Sequence, residues 1–133
     1  MIILTKSFKK QLKSSKIKID DVIKGINRVI NQKIFRTGDV LLSNSFINLK
    51  NCLVVKIRVG EKQRARMLVL FISVNNIKIP FLIALKNDKK FGSNMSLKSS
   101  IKNMIIQKAD NALSDFNNGN YNEIDEKLIS ENV

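Results

Sequence analysis

The stretch LVVKIRVGEKQRARMLVLFISVNNIKIPFLIALK, residues 53–86, decides the fold. In its first segment Leu53, Val55, Ile57 and Val59 alternate with Val54, Lys56 and Arg58. Successive side chains of a strand point to opposite faces, so this is a half-buried strand with both cations on one face. Residues 60–65 read as a polar loop. Residues 66–74 then run almost continuously apolar through Met67, Leu68, Val69, Leu70, Phe71 and Ile72, the pattern of a central strand covered on both sides. Asn75 and Asn76 give a two-residue hairpin signal, because Asn tolerates positive φ. Residues 77–86 return as a third strand. Pro80 has no amide hydrogen for a ladder, which requires an edge position or a bulge there.

Outward from this meander the period changes to that of a helix. Residues 1–4 are a short strand, and Thr5 or Ser7 stands where it can cap a helix over 6–13 with Phe8 and Leu12 on one face. Asp20 and Asp21 open a second helix, whose stripe is Val22, Ile23, Ile26, Val29, Ile30 and Ile34, with Lys24, Arg28 and Lys33 facing away. Residues 40–43 are a further strand candidate. Residues 86–94 form a polar loop, after which Ser96 caps a long helix carrying Leu97, Ile101, Ile105, Ala109, Ala112 and Phe116 on one stripe. Residues 117–122, with Gly119, stop it. From Glu123 the chain reads as a short helix or a frayed tail. The expected fold is α+β: an N-terminal strand and a helical hairpin packed on a small antiparallel sheet, with a C-terminal helix. Residues 1–117 form the single domain and residues 118–133 an acidic C-terminal extension.

Charge is distributed unevenly over this frame. Of the 133 residues, 24 are Lys or Arg and 11 are Asp or Glu, and the formal net charge is +13. Residues 40–109 hold thirteen of the cations against only Glu61 and Asp88, whereas the last 24 residues hold six acids against Lys127. A basic sheet surface in a small protein meets phosphate or an acidic partner; its plainest alternative is a solvated basic surface. There is no His, which removes the usual general base, most zinc sites and every Ser-His triad. The one cysteine, Cys52, lies in an apolar run and reads as a buried structural thiol. No run is long enough to span a membrane and the N-terminus lacks signal-peptide order, so the expectation is a cytoplasmic protein with no metal and no cofactor.

Glycine-rich phosphate loops, metal-spaced Cys/His sets, nucleophile elbows and paired catalytic carboxylates are all missing from the sequence. Cations are left. Lys56 and Arg58 share a strand face; Arg64 and Arg66, also two apart, enter the next strand from its loop. In an antiparallel hairpin turning at 60–65 the four side chains can approach one another. Lys86 ends the third strand and leads into the basic loop of Lys89 and Lys90. Guanidinium forks suit the non-bridging oxygens of a phosphorane, and crowding lowers a lysine's pKa toward a useful acid/base range. RNA supplies its own nucleophile, the 2′-hydroxyl. The candidate catalytic set is Lys56, Arg58, Arg66 and Lys86; the candidate RNA-binding set is Lys62, Arg64, Lys89, Lys90 and Phe91, the last for base stacking.

The order of elements and the run VVKIRVGEKQRARMLVLFISVNNIKIPFLIALKNDKKFGSNMS, residues 54–96, resemble the RelE/ParE superfamily of type II toxin–antitoxin toxins. By position Lys56 and Arg58 match its basic strand, Arg66 its strand-entry Arg, and Lys86 its strand-ending Lys, with Asp88 just after. The resemblance implies a RelE-like fold and a toxin acting as a metal-independent endoribonuclease, an mRNA interferase that inhibits translation by cutting mRNA on the ribosome. It also implies a cognate antitoxin protein as partner. The chain departs from the pattern in having Leu85 and Asn87 beside Lys86, Arg64 and Ala65 in place of a glycine pair, and residues 118–133 beyond the usual end. A non-catalytic ParE-like gyrase inhibitor and a basic nucleic-acid-binding regulator are the alternatives.

Overall fold

In the computed structural model, residues 1–35, 39–42, 52–60, 62, 64–88 and 99–124 are described. The elements run β1 (Ile2–Thr5), α1 (Lys6–Ser15), α2 (Ile19–Ile26), a π-helical turn (Asn27–Asn31), β2 (Val40–Leu42), β3 (Cys52–Val59), β4 (Ala65–Ile72), β5 (Ile77–Leu85), α3 (Ser99–Asn117) and β6 (Tyr121–Ile124). The strands form one sheet in the order β2-β3-β4-β5-β1-β6. The α+β class is as expected. The sheet is mixed rather than antiparallel, because β1 runs parallel to β5, with Ile2 opposite Lys78.

Strand alternation sends two apolar sets to two sides. Val55, Ile57 and Val59 of β3 and Ala65, Met67 and Val69 of β4 meet Phe8, Leu12, Val22, Ile23 and Ile26 of the helical hairpin. Val54, Leu68, Leu70, Ile79 and Leu82 meet Ile101, Ile105, Ala109 and Ala112 of α3 on the other face. The strand β4, central and covered on both faces, carries six consecutive buried residues from Ala65 to Leu70. Thr5 caps α1 by accepting from the Phe8 amide at 3.2 Å. Close approach fixes Gly25: a Cβ there would stand 2.8 Å from Val59 Cγ1 and 3.2 Å from Ile57 Cγ2, so α2 sits directly on β3.

Two further sequence expectations change, for the second helix and for residues 121–124. The second helix does not carry Ile34 onto its stripe; regular α-helix ends at Ile26, the π turn follows, and Ile34 is exposed. At Pro80 the third strand of the meander takes the bulge, one of the two expected alternatives. Pro80 lies buried at a register shift, with Val69 opposite Pro80 and Leu68 opposite Leu82, which leaves Phe81 as the bulged residue. Residues 121–124 are neither helix nor tail: Tyr121 to Ile124 pair antiparallel with Thr5 to Ile2 and close the sheet beyond β1. The expected cap at Ser96 lies outside the described residues. Lys78 on β5 is only 1% exposed.

Pro80 also determines what lies beside β5. The Lys78 amide donates to the Met1 carbonyl at 3.0 Å. In a parallel ladder the next donor along β5 belongs to residue 80, and proline has none. The first helix takes over there. Gln11 donates through Nε2 to the Phe81 carbonyl at 2.9 Å and accepts the Ile83 amide on Oε1 at 3.0 Å.

Candidate functional site

The face of the sheet under α3 changes character along its length. On β3 it presents Cys52, Val54, Lys56 and Arg58; on β4, in register, Ile72, Leu70, Leu68 and Arg66. The apolar half packs on α3, and the half nearest the β3–β4 hairpin is cationic. Arg58 and Arg66 are directly opposite residues, so their Cβ atoms stand about 5 Å apart. Lys56 is one row back on the same face, opposite Leu68. Strand register therefore places Lys56, Arg58 and Arg66, three of the four cations expected to approach one another, on one face.

Electrostatics record the crowding. Burial, then the charges of Arg66 and Arg58, lower the Lys56 ammonium below its ordinary pKa. Burial, then Arg58, lowers Arg66, and the Asp39 carboxylate partly offsets this. Arg66 is only 3% exposed, which is unusual for an arginine. Cys52 is buried at the apolar end of the same face, and burial raises its thiol pKa, as suits a structural rather than a reactive cysteine.

Asp39 anchors this end of the sheet. Its Oδ1 accepts the Arg58 amide at 2.9 Å, and its Oδ2 receives Arg28 Nη1 at 2.5 Å. Arg28 also donates from Nη1 to the Ile34 carbonyl at 2.9 Å and from Nη2 to the Arg58 carbonyl at 3.4 Å. The pair therefore holds both polar groups of the Arg58 main chain, and the Asp39 side chain is fully buried. The sequence offered little warning of this, because Arg28 lies on the polar side of the α2 stripe and Asp39 stands alone before β2.

The other candidates divide. Arg64 is not gathered into the cluster; it is exposed and its Nη2 donates to the Lys16 carbonyl at 3.1 Å, where a cation complements the C-terminal end of α1. Lys86 lies just beyond β5 at the same end of the sheet, its amide 2.8 Å from the Arg64 carbonyl, and is exposed. Lys62 is exposed in the hairpin loop. Lys89, Lys90 and Phe91 lie outside the described residues. Three sheet-borne cations with one buried carboxylate behind them can clamp a phosphodiester: the guanidinium forks meet non-bridging oxygens, and the lowered lysine exchanges a proton nearer neutrality than an ordinary one.

Comparison with protein families, curated proteins and solved structures finds no match to this chain. No described helix is long and apolar enough to cross a membrane.

Proposed function

We propose that this protein is the toxin of a type II toxin–antitoxin system, a metal-independent endoribonuclease that cuts mRNA on the ribosome and so inhibits translation. The observation that carries the reading is the placement of Lys56, Arg58 and Arg66 on one sheet face, where burial and then the neighbouring guanidinium charges lower the proton affinity of Lys56 and of Arg66. Arg58 and Arg66 hold the non-bridging oxygens of the scissile phosphate. Lys56, in its neutral form, takes the proton of the RNA 2′-hydroxyl; that oxygen bonds to phosphorus and the bond to the 5′ oxygen breaks. The departing oxygen takes a proton from Lys86 or water, which leaves a 2′,3′-cyclic phosphate and a 5′-hydroxyl. The partners are mRNA, the ribosome and a neutralising antitoxin, all in the cytoplasm, with no small-molecule cofactor.

Primer extension on mRNA from a purified translation reaction tests this. Breaks with cyclic phosphate ends are expected with the wild-type protein, and none with an Arg66→Met, Lys86→Ala double variant that melts like wild type. Undiminished cutting by that variant would remove the proposed site. Blocked DNA supercoiling without RNA breaks would instead make the protein a gyrase inhibitor, and salt-sensitive RNA binding without breaks a regulator.

A further inference from the structure

A second surface lies where β1 and β5 part. There α1 and α3 flank a cleft of about 640 Å³ whose floor is β5 from Leu82 to Leu85. Among the described residues the strand pairs with β4 on one side only along this stretch, and α1 occupies the place a neighbouring strand would take. The Lys86 amide turns toward β4, to the Arg64 carbonyl, and the Ile83 amide turns the other way, to Gln11. Residues two apart in a strand direct their main-chain groups alike, so the Ile83 carbonyl and the Leu85 amide face the cleft. Gln11 already satisfies the Phe81 carbonyl and the Ile83 amide with a side-chain amide that has the groups of a peptide bond.

We propose that this cleft takes an extended acidic segment of a partner protein, which adds as a short strand to β5 with main-chain bonds at Ile83 and Leu85. Charge on the rim favours acid. Lys6 and Lys10 line one wall and Lys108 the other, and Lys9 and Lys13 continue the row along an adjoining hollow of α1. Of the two carboxylates among the described lining residues, Asp115 accepts the Ser7 amide at 2.9 Å. The other is Asp88, at the cleft's hairpin end. A nucleic acid fits less well, because the described lining residues include no aromatic side chain on which a base can stack, whereas an open strand edge serves peptides. The proposal stands apart from the phosphate site and uses none of its residues.

Fluorescence anisotropy with a labelled octapeptide of alternating Glu and Val tests it on the full chain. The peptide should bind, about tenfold more weakly to a Lys6→Glu, Lys10→Glu variant whose surface changes leave the melt intact. N-methylating alternate peptide amides should abolish binding, and Arg66→Met should leave it unchanged. No binding at about 1 mM peptide would overturn the proposal, as would equal binding of the N-methylated peptide or of a Lys/Val octapeptide. Displacement of the peptide by oligouridylate, lost in the Lys6→Glu, Lys10→Glu variant, would give the cleft to nucleic acid and equally overturn it.

Discussion

In the proposed mechanism Arg66 serves chemistry at the expense of stability. It is buried opposite Arg58, and like charges directly across a strand pair repel. Met has similar length and no charge. Arg66→Met should therefore hold or raise the melting temperature while RNA cleavage disappears, a separation read by calorimetry beside the cutting assay. Lys56 gives a pH signature. Its folded pKa lies below its unfolded one, so the charged form is penalised only in the folded protein. The penalty is fully present below the folded pKa and fades as pH rises through it, because the native state loses the proton first. The melting temperature of Lys56→Met should exceed that of wild type at neutral pH, with the gap closing as pH climbs toward 10.5, the ordinary lysine value. Asp39 behaves oppositely. Asp39→Ala leaves Arg28 and the Arg58 amide without their acceptor and should cost about 3 kcal/mol in urea denaturation.

At the scale of elements, the most informative junction is that between α1 and β5. Gln11→Leu keeps the bulk of the side chain but strips a carbonyl and an amide of their partners, and should cost about 2 kcal/mol by denaturant midpoint. The sequence made the meander legible because period two is a local signal: residues 53–59 alternate whatever lies next to them. It left Pro80 undecided between edge and bulge, since either relieves the missing donor, and only the neighbour on the far side distinguishes them. Arg64 misled for a related reason. Spacing of two places residues on one face only within a strand, and β4 begins one residue later, at Ala65. For β6 there was no local signal. Only Tyr121 and Ile124 in its four residues are apolar, and pairing with β1 alone makes it a strand.

For the whole molecule, the net charge of +13 sets how the proposed RNA contact responds to salt. If Lys56, Arg58 and Arg66 each engage phosphate on a single strand, the logarithm of affinity should fall against the logarithm of salt with a slope of about −2. Measured across potassium chloride concentrations, the slope should shrink by about one third in Arg58→Met. The cationic half of the α3 face could be foreseen, since a run of cations on one strand face survives any packing of the other. Its buried counter-charge could not, because Asp39 reaches the cluster across chain that carries no pattern linking the two.

The pairing of Ile2 with Ile124 has a consequence for how the chain comes into being. β1 is flanked by two later strands, β5 and β6, so its second flank stays uncovered until residues 121–124 have been made. Contacts so remote in sequence form slowly. A nascent chain halted before residue 121 keeps one side of β1 bare, and competence arrives only once its far end has come back to meet its beginning.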